Sequence, residues 1–239
     1  AYNTAKNNML KSVYDNGGFW IGRYEAGNAN ATESNTTIVG ARTDEFISEN
    51  PAVIKADQIP YNYVTCKQAQ TLSKKLATGR KTSSLMFGIQ WDLTCKFLEE
   101  KTDLTLADIK TDSTSWGNYK NNSITLLSGK YNTGPSISSS VWTSFLIDTT
   151  NYVVNKKTSS NASYYQLLTT GSSEDTSKMN ICDFAGNEIE WTLEKYENKS
   201  CVGRGGSCNY NGVDLPAFHH YYDGSDSKYN DIGFRPTLY

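Results

Sequence analysis

"MNICDFAGNEIEWTLEKY" (residues 179–196) decides how this chain is read, together with "CVGRGGSCN" (201–209) and "DIGFRPTLY" (231–239). Gly186 and Asn187 suit a tight turn, and Ile189 alternates with Trp191 as strand residues facing a core do. Between the last two pieces lies "SCNYNGVDLPAFHHYYDG" (207–224), which holds both histidines of the chain and the aromatics Tyr210, Phe218, Tyr221 and Tyr222. It shows neither strand alternation nor a helical stripe. From Gly205 to Ser227 there is no Lys, Glu, Gln, Met or Trp, types that supply 42 of the 239 residues.

Working outward, Ala5, Met9 and Val13 at four-residue spacing predict a helix over Thr4–Tyr14, stopped by Gly17 and Gly18. "FWIGRYEAG" (19–27) reads as a strand between glycine clusters, and residues 28–50 as a long polar loop. Thr65 caps a helix with Ala69, Leu72 and Leu76 on one face and Gly79 as its stop. Residues 82–101 read as a second, central helix. Leu85, Ile89, Leu93 and Phe97 form one stripe on it and Trp91, Cys95 and Leu98 another, a pattern that predicts burial over much of its circumference. Between Asp112 and Lys178, Ser, Thr, Asn and Gly dominate, so short strands and side-chain-pinned loops are expected. "DIGFRPTLY" is strand-like up to Pro236. A strand near each end of one domain, 1–239, invites their pairing.

Composition narrows the function. The 29 Phe, Trp and Tyr residues can fill a core although only 37% of the chain is hydrophobic. A net charge of −2 with no basic run longer than two residues argues against nucleic acid. No apolar run approaches the ~18 residues of a membrane span. The start "AYNTAKNN" has neither Met nor signal-peptide regions, so a C-terminal piece of a longer protein is expected. Five cysteines lack zinc-type spacing. Cys66, Cys95 and Cys182 read as buried hydrophobes, while Cys201 and Cys208 are either free or bridged across a short loop. His219 and His220 are adjacent, point to opposite faces of a strand and make a poor chelating pair. Ser207 or Ser225 with His219 and Asp214 supplies the parts of a triad on paper, but nothing singles them out. No catalytic residue is assigned.

Set beside "GGFWIGRYEAG" (17–27), "PYNYVTCKQAQTLSKKL" (60–76) and "SSLMFGIQWDLTCKFLE" (83–99), the opening pieces resemble the formylglycine-generating enzyme (sulfatase-modifying factor) family. The ordered series GN-x-x-EW, RGGS, GFR carries the resemblance, which runs from about Phe19 to Phe234. It implies an α+β, C-type-lectin-like single domain with two main helices, short strands and long ordered loops, its terminal strands paired. It also implies a structural calcium ion with Asn187 and Glu190 as oxygen ligands. The family's copper oxidases use two cysteines after RGGS. Here Cys208 stands two positions early and no second cysteine follows it, so one thiolate is left where copper wants two.

A second lineage of this fold is non-enzymatic: the variable proteins of diversity-generating retroelements. In them the segment between RGGS and GFR is rewritten at template adenines, so Asn codons become any of fifteen residues, excluding Lys, Glu, Gln, Met and Trp. Residues 208–227 use only permitted types. The resemblance therefore implies a variable region, 205–235. Its ligand-binding residues are Cys208, Asn209, Tyr210, Asn211, Asp214, Leu215, Phe218, His219, His220, Tyr221, Tyr222 and Asp223, with Gly212, Pro216 and Ala217 as fixed turn and packing positions. Aromatics giving area and small polar residues giving adaptable hydrogen bonds divide the work as antibody paratopes do. A protein is the expected ligand and a glycan the second choice, met at a virion or cell surface. The alternatives are a copper oxidase with an altered site and a structural oligomerisation domain.

Overall fold

The computed structural model describes residues 2–31, 42–126, 128–134, 142–144, 156–157, 165–197, 201–222 and 224–239. Among these the chain is mixed α+β, with five α-helices and several small sheets. Helix α1 spans Tyr2–Asn16 and ends at Gly17, whose φ of +76° stops it as expected. Helix α2, Asp44–Glu49, lies where the sequence reads as loop. The Thr43 hydroxyl caps it by accepting from the Phe46 N–H, which is enough to start a helix of a turn and a half. Helix α3, Cys66–Lys74, opens on a reciprocal capping box between Thr65 and Gln68 and buries Ala69 and Leu72. Helix α4 is Gly88–Lys101, and α5 is Leu106–Lys110, started by a box between Thr105 and Asp108.

Two expectations about α4 are corrected. Ser83–Leu85 is a strand rather than helix, because tertiary pairing with Pro236–Leu238 claims its backbone. Only the Trp91, Cys95 and Leu98 stripe is buried. Ile89, Leu93 and Phe97 are 40–49% exposed, so α4 packs on one side rather than most of its circumference.

The ends pair as the sequence suggests. Trp20 lies opposite Leu238 and Ile21 opposite Thr237 in an antiparallel pair, and Ser83–Leu85 lines the other side. The first strand is shorter than read: Trp20–Ile21 and Gly27–Asn28 are separate pieces. The last extends past Pro236, since proline at a strand's first residue needs no ladder N–H. Between 112 and 178 the described residues hold short strands and no long helix, Lys130–Gly134 pairing with Tyr165–Leu168.

The four-stranded sheet that positions the site runs His220–Tyr221, Val202–Arg204, Ile189–Thr192, Ile232–Phe234 in spatial order. Ile189–Thr192 is antiparallel to Val202–Arg204 and parallel to Ile232–Phe234. One core cluster gathers Ile189, Trp191, Phe234, Leu72 and Leu85, and another gathers Trp91, Phe184, Trp116, Tyr119 and Ala217. Trp91 and Phe184 stack at 4.0 Å.

The cysteines differ from expectation. Cys66 and Cys201 are bridged, with Cα atoms 6.5 Å apart, while Cys208 is buried and outside the disulfide. The strand Val202–Arg204 starts beside the N-terminus of α3, so the partner of Cys201 comes from 135 residues away rather than seven.

Candidate functional site

The motif residues first build a frame. Asn187, at φ +57°, donates from Nδ2 to Glu25 Oε2 at 2.6 Å, and its Oδ1 accepts from Asn118 Nδ2 at 2.8 Å and the Leu168 N–H at 3.0 Å. Glu190 takes a forked pair from Arg235: Nε at 3.0 and 3.1 Å, and Nη2 at 2.7 Å. Arg235 also donates to the carbonyls of Gly22 and Cys182, so the "GFR" arginine ties the two chain ends to the central strand. Trp191 donates from its indole to the Val64 carbonyl at 3.0 Å.

Gly205 and Gly206 then turn the chain out of the sheet with φ of +96° and +73°. A Cβ on Gly206 would stand 2.1 Å from the Leu215 carbonyl oxygen, so no other residue fits. Ser207 donates its hydroxyl to Asp231 Oδ2 at 2.7 Å, and the Cys208 N–H donates to the Asn187 carbonyl at 3.1 Å. The excursion 207–219 is held mostly through its main chain. The Tyr210 carbonyl accepts from the Lys120 N–H, the Gly212 carbonyl from the Ser113 N–H and the Ala217 carbonyl from Trp91 Nε1, while the Phe218 N–H donates to Ile109. The Ala217 N–H donates to Ser113 Oγ at 2.9 Å. Gly212 is buried, and a Cβ there would meet the Thr114 nitrogen at 2.3 Å.

The side chains divide accordingly. Tyr210, Asp214 and Tyr222 are exposed, and Asn209, Asn211, Phe218, His219, His220 and Tyr221 are half-buried. Cys208 and Leu215 are buried, Cys208 against Trp142 and Leu167, and this corrects their place in the expected surface. Pro216 and Ala217 are buried, as expected of packing positions. Asp223 lies outside the described residues. Sequence reasoning missed the exposed Val213, a permitted type in the segment that carries neither an aromatic ring nor a charge to attract notice. It also missed Tyr196, outside the segment, which stacks on Tyr222 at 4.3 Å. No local pattern in "LEKYE" marks that contact.

Beneath the segment's far end sits a charge network. Arg204, buried, donates from Nη1 to Glu194 Oε2 at 2.7 Å and from Nη2 to Asp92 Oδ1. His220 Nε2 meets both Arg204 Nη1 and Glu194 Oε1, the latter at 3.1 Å. Burial works against the Glu194 carboxylate, but the His220 hydrogen bond and the Arg204 charge outweigh it and hold its pKa below the ordinary glutamate value. Burial pushes the His219 imidazole down, aided by His220 and Arg204. Beside this network a cleft of about 260 Å³ opens between α4 and α5, with Phe218, Asp92 and Lys110 on its walls. Aromatic faces, fixed carboxylates and a shallow cleft suit recognition of an external group.

The metal expectations do not fit these residues. Asn187 Oδ1 already accepts two N–H donors and Glu190 both spends its oxygens on Arg235 and has its charge balanced there, so the calcium donor pair is engaged within the chain. Paired thiolates for copper are not assembled either, since Cys201 is bonded to Cys66 and Cys208 packs among apolar side chains. Among the described residues no three His, Cys, Asp or Glu side chains gather as a metal site. No described helix is long and apolar enough to cross a membrane. No protein-family model matches the chain, and no curated protein matches it with significance.

Proposed function

We propose that this chain is a non-catalytic ligand-binding domain that presents residues 209–222 on a fixed frame, in the manner of the variable proteins of diversity-generating retroelements. One observation carries the reading: the excursion is anchored by peptide groups and two obligatory glycines, while the side chains of Tyr210, Val213, Asp214 and Tyr222 face outward. Anchors that ignore side-chain identity let the exposed positions change without unfolding the frame, as binding loops on rigid scaffolds do. The C-type-lectin-like assignment belongs to this proposal. Paired terminal strands, small sheets and long pinned loops support it. The Cys66–Cys201 disulfide supports an oxidising setting, a virion or cell surface, because cytosolic thiols are kept reduced. A protein remains the first choice of ligand and a glycan the second.

The copper-oxidase alternative is disfavoured by the burial of Cys208 among apolar side chains and the bonding of Cys201 to Cys66. The test is deep sequencing of codons 205–235 across a growing population. Substitutions concentrated between 209 and 222 at adenine-templated sites, with the RGGS and GFR codons silent, are expected. Invariant codons and no template copy overturn the retroelement reading.

A further inference from the structure

Resting on that reading, we propose that the step formed by Tyr196 and Tyr222 receives a cationic side chain, lysine or arginine, of a protein ligand. The two rings are stacked at 29° and remain 44% and 45% exposed; Tyr222 is held between Tyr196 and His220, so Tyr196 is the ring that can turn a π-face to a cation. His220 backs Tyr222 at 5.9 Å and 16°, which fixes the ring that the loop contributes. Tyr196 comes from the frame, ahead of the variable region. The step therefore joins a constant ring to a varied one.

Charge selects the occupant. Arg204 is the buried cation nearest the step, and Asp92 and Glu194 already answer it. Lys195 is turned away over the Tyr2 ring at 4.9 Å, and Lys110 lies over Phe218 at 4.6 Å, at the other end of the surface. Glu197 is exposed and makes no ion pair among the described residues. Glu197 lies near enough to Tyr222 for its charge to act on the phenol, and a ring face near a carboxylate attracts an ammonium or guanidinium. A neutral sugar also lies on aromatic faces, but it needs several open hydrogen-bonding groups. Both oxygens of Glu194 are taken, by Arg204 and His220, which leaves Glu197 as the carboxylate near the step without an ion pair among the described residues and favours the cation.

The test titrates the intact, unliganded chain with Nα-acetyl-arginine amide and, in parallel, with methyl β-glucoside, following the ring protons of Tyr196 and Tyr222 by NMR. The arginine amide is expected to shift both rings saturably. Glu197→Gln should weaken it about two- to fivefold, the scale of an exposed ion pair, and Tyr196→Ala should abolish the shift of Tyr222. The glucoside should leave both rings unmoved. Shifts with the glucoside alone, with neither probe, or with arginine amide but indifferent to Glu197→Gln overturn the proposal. Variation of codons 209–222 without any arginine response removes this inference and leaves the proposed function standing. Invariant codons with a full response remove the retroelement reading and leave the cation site as a fixed one.

Discussion

The indole Nε1 of Trp91 donates to the Ala217 carbonyl at 3.0 Å, so a ring from α4 holds a peptide group inside the outward excursion. Both residues are fully buried, and the bond sits one residue before the Phe218 N–H, which donates to Ile109. Trp91→Phe keeps an aromatic in the stack with Phe184 but leaves the Ala217 carbonyl unpartnered. An orphaned buried acceptor and the smaller ring together cost about 2–3 kcal/mol. Amide exchange at Phe218 and His219 should quicken more than exchange in α3. Unchanged exchange at both would mean that the excursion is held elsewhere.

Tolerance should follow the division between main chain and side chain. Alanine at Val213 or Asp214 is expected to change stability by no more than about 0.5 kcal/mol, as exposed sites do, and at Tyr210 or Tyr222 by about 1 kcal/mol, Tyr222 losing its stack on Tyr196. Gly206→Ala places a Cβ 2.1 Å from the Leu215 oxygen at a φ of +73°, and should cost about 2–3 kcal/mol or more. Gly212→Ala meets the Thr114 backbone and should behave likewise. Urea midpoints of the six variants decide the matter. A large loss at Tyr210 or Tyr222 would show those rings to be core, and equal losses throughout would dissolve the distinction.

The disulfide links α3 to the strand that leads into the excursion. Cys66→Ser with Cys201→Ser should lower stability by about 2–4 kcal/mol, since the bridge closes a long loop in the unfolded chain. Peptide mapping without reduction should recover residues 66 and 201 in one linked pair. Recovery of Cys201 with Cys208 would restore the short-loop bridge and contradict the packing of Cys208 against Trp142.

That correction marks where the sequence stops being informative. Local signals carried in part: the Thr65 cap starts α3, though the helix ends at Lys74, short of the expected stop at Gly79, while Gly17 ends α1 and alternation around Trp191 marks a buried strand. Partners distant in sequence did not. Nothing near Cys201 points to Cys66, and nothing in "SSL" shows that Pro236–Leu238 will claim it from helix α4. The exposed Ile89, Leu93 and Phe97 stripe misleads for a related reason, because apolar spacing reports a face without saying whether anything covers it. At the site, composition found the segment and most of its outward side chains. It could not separate the buried Cys208 and Leu215 from their neighbours, nor supply Tyr196, Glu194 and Asp92, which arrive from other elements.

Stability should fall as pH rises through the mildly acidic range. Glu188 is buried, and burial, with the charges of Asp231 and Glu190, pushes its pKa well above the ordinary 4.5, against a smaller pull from Asn62 and Arg42. Glu25 is raised the same way, by burial and then by Asp183, Glu188 and Glu190. A carboxyl raised on folding holds its proton more tightly in the native state. Its contribution is complete below the ordinary value and is lost as pH climbs through the raised one. Glu194 acts in the opposite sense, its depressed pKa giving stability that is lost only as pH falls below the ordinary range, so the two windows separate. The Tm measured from about pH 5 to pH 8 should therefore decline, and Glu188→Gln should flatten that decline by removing one of the titrating groups. A Tm that rises across this interval, or a slope indifferent to Glu188→Gln, would show that Glu188 stays ionised in the folded chain.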